Sequence, residues 1–268
     1  MQFRGASVVI TGGSGGIGGA TAHAFAKAGA DVAVVDIDST AVKIIVDEVR
    51  TYGNHAIGVV ADVTKSTEVA RYVADALDAF GKIDCFFNNA GIEGLVAPIT
   101  EYDEDTFDDV MRVNVRGVFL GMKHVLPAMI ARGAGAVVNT ASVAGLVGTP
   151  GMSTYCASKH AVLGMMKSVS GEVARSGVRV NAICPGPVQT RMIDDVQKLI
   201  NPEDPLGVKA RYEGAIPSGR YSQPDEIADI VLFLCSDAAK NVTGMHFTID
   251  GGRTATGGAV TQVAKTTN

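Results

Sequence analysis

The 268-residue chain reads as a single α/β domain: a doubly wound, seven-stranded parallel sheet with helices on both faces. Short, unbroken apolar runs recur along the chain, helix-length patterns separate them, and a glycine-rich turn joins the first run to the first helical pattern. A strand buried on both faces carries such a continuous run, whereas a half-exposed strand would alternate.

The strand-like runs lie at 7–11, 32–36, 56–61, 84–88, 136–141, 179–184 and 246–249. Helical patterns fill 16–28, 39–51, 66–80, 105–132, 153–176 and 224–235, several of them opened by a capping Ser, Thr or Asp. Strand and helix alternating in this way call for right-handed crossovers and a parallel sheet, which binds its ligand beyond the carboxyl ends of the strands. Residues 191–217 are too many for a simple connection and read as an insert. Within it Met192, Ile193, Val196, Leu199 and Ile200 approximate helical spacing, Asn201 to Pro205 interrupts the pattern, and a second short pattern follows at 208–212. Two short helices on a rigid turn suit a cover over a substrate. Residues 254–268 carry no core pattern and read as a C-terminal tail.

Composition removes several classes of function. The net charge of −5, with basic residues scattered, offers no stripe for nucleic acid. No apolar run approaches the twenty residues of a membrane span, and the first residues carry no secretory pattern, so a cytoplasmic protein with no membrane partner is expected. The four cysteines are far apart and read as reduced thiols. The five histidines are dispersed, and no metal site is expected.

Thr11-Gly12-Gly13-Ser14-Gly15-Gly16-Ile17-Gly18 stands between the first strand and an alanine-rich helix. Glycines there let the backbone approach a pyrophosphate while the helix start offers free N–H groups, so Gly12, Ser14, Gly15, Gly16, Ile17 and Gly18 form a candidate phosphate cradle. Asp36 ends the second strand, where a carboxylate accepts hydrogen bonds from ribose hydroxyls. A 2′-phosphate would meet like charge there, and Ile37-Asp38 adds no base, so the expected cofactor is NAD. Asp62-Val63 closes the third strand and reads either as a contact to the adenine edge or as a turn cap.

Tyr155 and Lys159 are four residues apart, one turn of a helix. Removing hydride from an alcohol requires a base for the hydroxyl proton, and an unperturbed phenol, with a pKa near ~10, must be acidified to serve. A lysine charge at ~4 Å in a medium of dielectric about 20 favours phenolate by roughly 4 kcal/mol, which is the expectation here. Ser142, closing the fifth strand, can donate to a substrate oxygen, and Asn89-Ala90-Gly91 follows the fourth strand at the same edge. Asn114 lies inside a helical pattern although asparagine is a mediocre helix former, so it needs another reason to be there.

Together these motifs resemble the short-chain dehydrogenase/reductase family, over residues 5 to about 252. The family's cofactor turn falls on Thr11, Gly12, Gly16 and Gly18, its Asn-Asn-Ala-Gly on 88–91, and its Pro-Gly segment on 185–190. Its catalytic asparagine, serine, tyrosine and lysine fall on Asn114, Ser142, Tyr155 and Lys159. The resemblance implies a Rossmann fold with NAD as cofactor. Tyr155 would be the general acid/base, Ser142 the oxygen holder, and Asn114 the anchor of a proton-relay water. Lys159 would bind the nicotinamide ribose and acidify Tyr155. Pro185, Gly186, Val188 and Thr190 would line the nicotinamide. It further implies a small alcohol or ketone substrate and a homotetramer built on two long helices. The stripe Ala157, Ala161, Gly164 and Ser168 is a candidate helix contact. The loop from Asn89 to Gly94 and the insert resemble members acting on cyclic alcohols and ketones.

Other readings are a 3-oxoacyl-carrier-protein reductase, a hydroxysteroid dehydrogenase, an enzyme of double-bond reduction or dehydration, and an inactive NAD-sensing scaffold. Asp36 and the lack of a base at 13–15 speak against the first, Ser142 beside Tyr155 against double-bond chemistry, and retention of the four motif residues against the scaffold.

Overall fold

The computed structural model describes residues 3–257. Seven parallel strands form one sheet in the order β3-β2-β1-β4-β5-β6-β7: β1 Ser7–Thr11, β2 Asp31–Asp36, β3 Ala56–Val60, β4 Cys85–Asn88, β5 Gly135–Thr140, β6 Val178–Pro185 and β7 His246–Ile249. The expected strands are all present, with ends moved by a residue or so, where pairing rather than hydrophobicity sets the boundary.

Side chains alternate between the two faces along each strand. In β1, Val8 and Ile10 join a core with Phe25, Val46, Ile227 and Val231, from helices α1 (Gly16–Lys27), α2 (Ser39–Arg50) and α9 (Pro224–Cys235). Val9 faces the other core, with Tyr72, Met122 and Met166 from α3 (Ser66–Phe80), α5 (Val118–Arg132) and α6 (Ser153–Val173). Phe86 and Phe87, adjacent in β4, are fully buried on opposite sides, each stabilising by about 1.5–3 kcal/mol. The chain reverses its winding between β1 and β4, neighbours in space, and opens the crevice of the sheet there.

The pattern at 105–132 is not one helix. It divides into α4 (Glu104–Met111), a π-helical segment Arg112–Gly117, and α5. An added Cβ on Gly117 would lie 2.9 Å from Val63 Cγ2, so this wider turn packs directly on the loop after β3. The insert contains α7 (Arg191–Ile200) and α8 (Pro205–Gly214), with Asp204 capping α8 through the Gly207 N–H at 2.8 Å. Among the described residues no helix is long and apolar enough to cross a membrane, and no cluster of side chains suits a metal ion. Residues 258–268 of the expected tail lie outside the described residues.

Candidate active site

The first loop is compact because several of its glycines lie hard against neighbouring atoms. A Cβ on Gly18 would sit 2.0 Å from the Gly12 carbonyl oxygen, and one on Gly16 would sit 2.5 Å from Thr190 Cγ2. Gly12 itself has φ +61, a conformation glycine adopts without strain. Gly15 caps α1, with Ile17 in its first turn, leaving the helix's free N–H groups facing the crevice.

Asp36 reaches this turn from β2. Its Oδ2 accepts from the Ser14 hydroxyl at 2.6 Å and the Ser14 N–H at 3.1 Å, and its Oδ1 accepts from Ile37 N–H at 2.7 Å. A carboxylate oxygen has further lone-pair capacity, so both remain acceptors for a ligand hydroxyl. Ile37 is exposed beside it. Asp62 uses Oδ1 to cap Thr64 N–H at 2.9 Å, and its pKa stays low because that bond and Lys65 outweigh burial.

Across the crevice, the Thr11 hydroxyl accepts from the N–H groups of Asn89 (2.9 Å) and Ala90 (3.2 Å), and the Asn89 amide donates to the Thr11 carbonyl at 3.1 Å. These bonds fix the β4 exit against the glycine turn. Gly91 comes next: an added Cβ would lie 3.1 Å from Asn114 Oδ1 and 3.4 Å from Lys159 Nζ.

The fully buried Asn114 projects from the π-helical segment. Its Oδ1 accepts from Ile92 N–H at 2.8 Å, while Nδ2 donates to the Ile92 carbonyl at 2.7 Å and to the Ser158 hydroxyl at 3.1 Å. This answers the question raised by its position. The widened turn, a form often found at functional sites, tolerates the poor helix former because its amide is spent elsewhere.

Tyr155 and Lys159 stand on the inner face of α6. Lys159 is almost fully buried and donates to the Thr140 carbonyl at 2.9 Å, with Nζ 5.5 Å from the Tyr155 ring centre. Burial pulls its pKa down to about 8, although Glu93 works in the other direction. Ser142 follows β5, with Oγ 3.5 Å from the Pro185 carbonyl oxygen, and lies near enough to the phenol to lower its pKa. The expected acidification of Tyr155 by Lys159 is absent in this structure. Burial, then the negative charge of Glu93, hold the phenol above its ordinary value, and the neighbouring Ser142 hydroxyl works in the other direction.

The exit of β6 completes the site. Gly186 N–H donates to the Ile249 carbonyl at 2.8 Å, and Gln189 N–H to the Ser222 carbonyl at 2.9 Å. They seat 185–190 over the glycine turn, which is why Thr190 meets Gly16. Val188 is buried.

The motif residues read from the sequence thus converge on one crevice at the carboxyl edge of the sheet. Reading by motif missed Thr140 and Ser158, which anchor Lys159 and Asn114, and it passed over Glu93 as a site residue. An acidic side chain in the apolar stretch Ala90-Gly91-Ile92-Glu93-Gly94-Leu95 was the available signal.

Comparison with known proteins identifies the family. A family model described as enoyl-(acyl carrier protein) reductase matches residues 12–254. Levodione reductase from Leifsonia aquatica is 41% identical over 95% of this chain and 96% of its own, and a crystal structure of levodione reductase superposes with a TM-score of 0.93 over 94% and 99% of the two chains. A 2,5-dichloro-2,5-cyclohexadiene-1,4-diol dehydrogenase from Sphingobium indicum is 39% identical over 95% of this chain and 99% of that one. The crystal structure of NAD+-bound xylitol dehydrogenase is 36% identical, with a TM-score of 0.90, covering 94% of this chain and all (100%) of that one. The chain belongs to the short-chain dehydrogenase/reductase family of oxidoreductases.

Proposed function

We propose that the protein interconverts small secondary alcohols and ketones, cyclic ones among them, with NAD(H) as hydride carrier. The observation that carries this reading is the juxtaposition of Ser142, Tyr155 and Lys159 beside the glycine turn. The names of the levodione and cyclohexadiene-diol relatives support the ring-shaped substrate.

The crevice fits a dinucleotide. Gly12, Gly16 and Gly18 let the first turn pack tightly against Ala90, Thr190 and its own backbone, the α1 start offers N–H groups to a pyrophosphate, and Asp36 keeps acceptor capacity for ribose hydroxyls. The same carboxylate would repel a 2′-phosphate, which favours NAD over NADP. Asp62 and Val63 would flank the adenine, Asn89 to Gly91 and Lys159 the nicotinamide ribose, and Pro185, Gly186, Val188 and Thr190 the nicotinamide. When bound, the cofactor supplies or accepts the hydride.

The chain's own residues place the substrate and move its proton. Ser142 donates to the reacting oxygen, and Tyr155 gives a proton to that oxygen during ketone reduction and takes it during alcohol oxidation. Its raised pKa keeps the acid form loaded at neutral pH. Asn114 holds the loop that flanks Lys159 and anchors the water through which that lysine exchanges protons with solvent. A carbonyl oxygen needs both a donor and a proton source, and the pairing of Ser142 with Tyr155 favours this chemistry over the double-bond reduction named in the family description.

The 191–217 segment covers the substrate. Its helices meet the rest of the fold through Lys209 to Gln189 at 2.6 Å, Gln189 to Asp194 at 3.1 Å and Gln197 to the Tyr221 hydroxyl at 3.2 Å, with Val196 and Val208 buried beneath them. Assembly is a homotetramer. Ala157, Gly164 and Ser168 are exposed on the outer face of α6, and Ala157 borders a groove of about 640 Å³ that Ile99, Tyr102 and Phe107 also line. The four unpaired, buried cysteines suit the reducing cytoplasm.

The test is a steady-state screen of cyclic, aromatic and steroid secondary alcohols with NAD and with NADP. NADH formation from cyclic alcohols, with little from NADP, is expected; no turnover of any alcohol with either cofactor would overturn the reading.

A further inference from the structure

Glu93 sits between two anchors. On one side the Asn114 amide holds both backbone groups of Ile92; on the other the Tyr102 hydroxyl accepts from Leu95 N–H at 3.1 Å. Gly94, with φ +76, makes the bend, and a Cβ there would lie 2.5 Å from the Tyr102 oxygen. Such a clamp fixes where the Glu93 side chain emerges.

That place borders the candidate active site. Two residues earlier, Gly91 packs against Asn114 and Lys159. The Glu93 carboxyl is half-buried and feels Lys159 of α6 and Asp195 of α7, and its charge is felt in turn by Tyr155. Among the described residues no side chain hydrogen-bonds to it, and burial pushes its pKa up to about 7. A half-buried carboxyl with no side-chain donor has acceptor capacity left for a ligand, since burying it short of partners costs stability.

We propose that Glu93 is a specificity-determining residue that accepts a hydrogen bond from a second hydroxyl of the substrate, so that the preferred substrates are cyclic diols or hydroxyketones. The assignment rests on the alcohol–ketone reading above. A hydroxyl fits better than an ammonium group, because Lys159 would repel a second cation in the same pocket.

The test compares cyclohexanol with 1,2-, 1,3- and 1,4-cyclohexanediol and with 2-aminocyclohexanol, using NAD and the wild type, Glu93→Gln and Glu93→Leu. The readout is the ratio of kcat/KM for the best diol to that for cyclohexanol. A hydrogen bond to a charged partner predicts a wild-type ratio of about ten to a hundred. The ratio should fall toward one in Glu93→Leu and lie between in Glu93→Gln, which keeps an acceptor oxygen and nearly the same shape. Cyclohexanol oxidation with no diol preference, or a ratio unmoved by both substitutions, overturns the role of Glu93 and leaves the alcohol reading standing. Preference for the amino alcohol over every diol also overturns it. A wild type that oxidises none of these alcohols overturns the functional reading, and this proposal with it.

Discussion

The side-chain amide of Asn114 grips the backbone of Ile92 at both ends, accepting from its N–H at 2.8 Å and donating to its carbonyl at 2.7 Å. Asn114 therefore holds the loop after β4 as firmly as a pair of sheet hydrogen bonds would. Asn114→Leu keeps the volume but leaves these groups without partners, each costing about 1–3 kcal/mol when buried. The variant should melt several degrees lower and lose turnover. A residue that only positions a relay water would lose turnover at unchanged Tm, so thermal unfolding beside steady-state kinetics separates the two.

Ser14 and Asp36 lock the cofactor turn to β2 through the 2.6 Å hydroxyl bond. Asp36→Ala should narrow the ratio of kcat/KM for NAD over NADP by about ten- to a hundredfold, since removing a like charge facing a phosphate relieves a repulsion of a few kcal/mol. Ser14→Ala, which frees Asp36 Oδ2 of its closest donor, should leave NAD preferred. Equal use of both cofactors by the wild type would remove Asp36 from this role.

Lys159 is stored at a cost. Its charged form is disfavoured by burial, and its pKa falls from 10.5 to about 8. Between these values the unfolded chain holds a proton the folded one has released, so this group's contribution to stability rises with pH from about 8 to 10.5, and below 8 the charge penalises the fold in full. Lys159→Met should accordingly raise the Tm of the ligand-free protein at pH 7 by about 2–5 °C while abolishing turnover. A lower Tm would show instead that the bond to Thr140 outweighs the burial penalty.

Much of this was legible in advance. Strands buried on both faces leave uninterrupted apolar runs, and Gly13, Gly16 and Gly18 of the first turn are required by contacts under 3 Å, such as Gly18 on the Gly12 carbonyl. The π-helical segment left no trace in the 105–132 pattern, because one extra residue in a turn shifts the periodicity too little to see. Nor did the neighbours of Tyr155: spacing placed Lys159 one turn away, but only the folded chain buries the phenol and brings Glu93 close enough to raise its pKa rather than lower it.

That reversal predicts a pH profile. With Tyr155 held protonated, ketone reduction should be level across neutral pH, while alcohol oxidation should rise with pH as the phenol ionises. Glu93→Gln removes a negative charge that raises the phenol's pKa, so the rise in oxidation should begin at lower pH than in the wild type. Profiles of kcat/KM in both directions for the two proteins check this; a shift to higher pH would contradict it.

The account turns on Tyr155 as the proton donor and acceptor at the carbinol oxygen. Its most direct test measures, for wild type and Tyr155→Phe, the NADH-dependent reduction of a cyclic ketone together with NADH affinity by fluorescence titration. The predicted result is turnover reduced by about 10² to 10⁴-fold with NADH affinity nearly unchanged. A Phe variant that turns over like the wild type, with NADH bound as tightly, would contradict it.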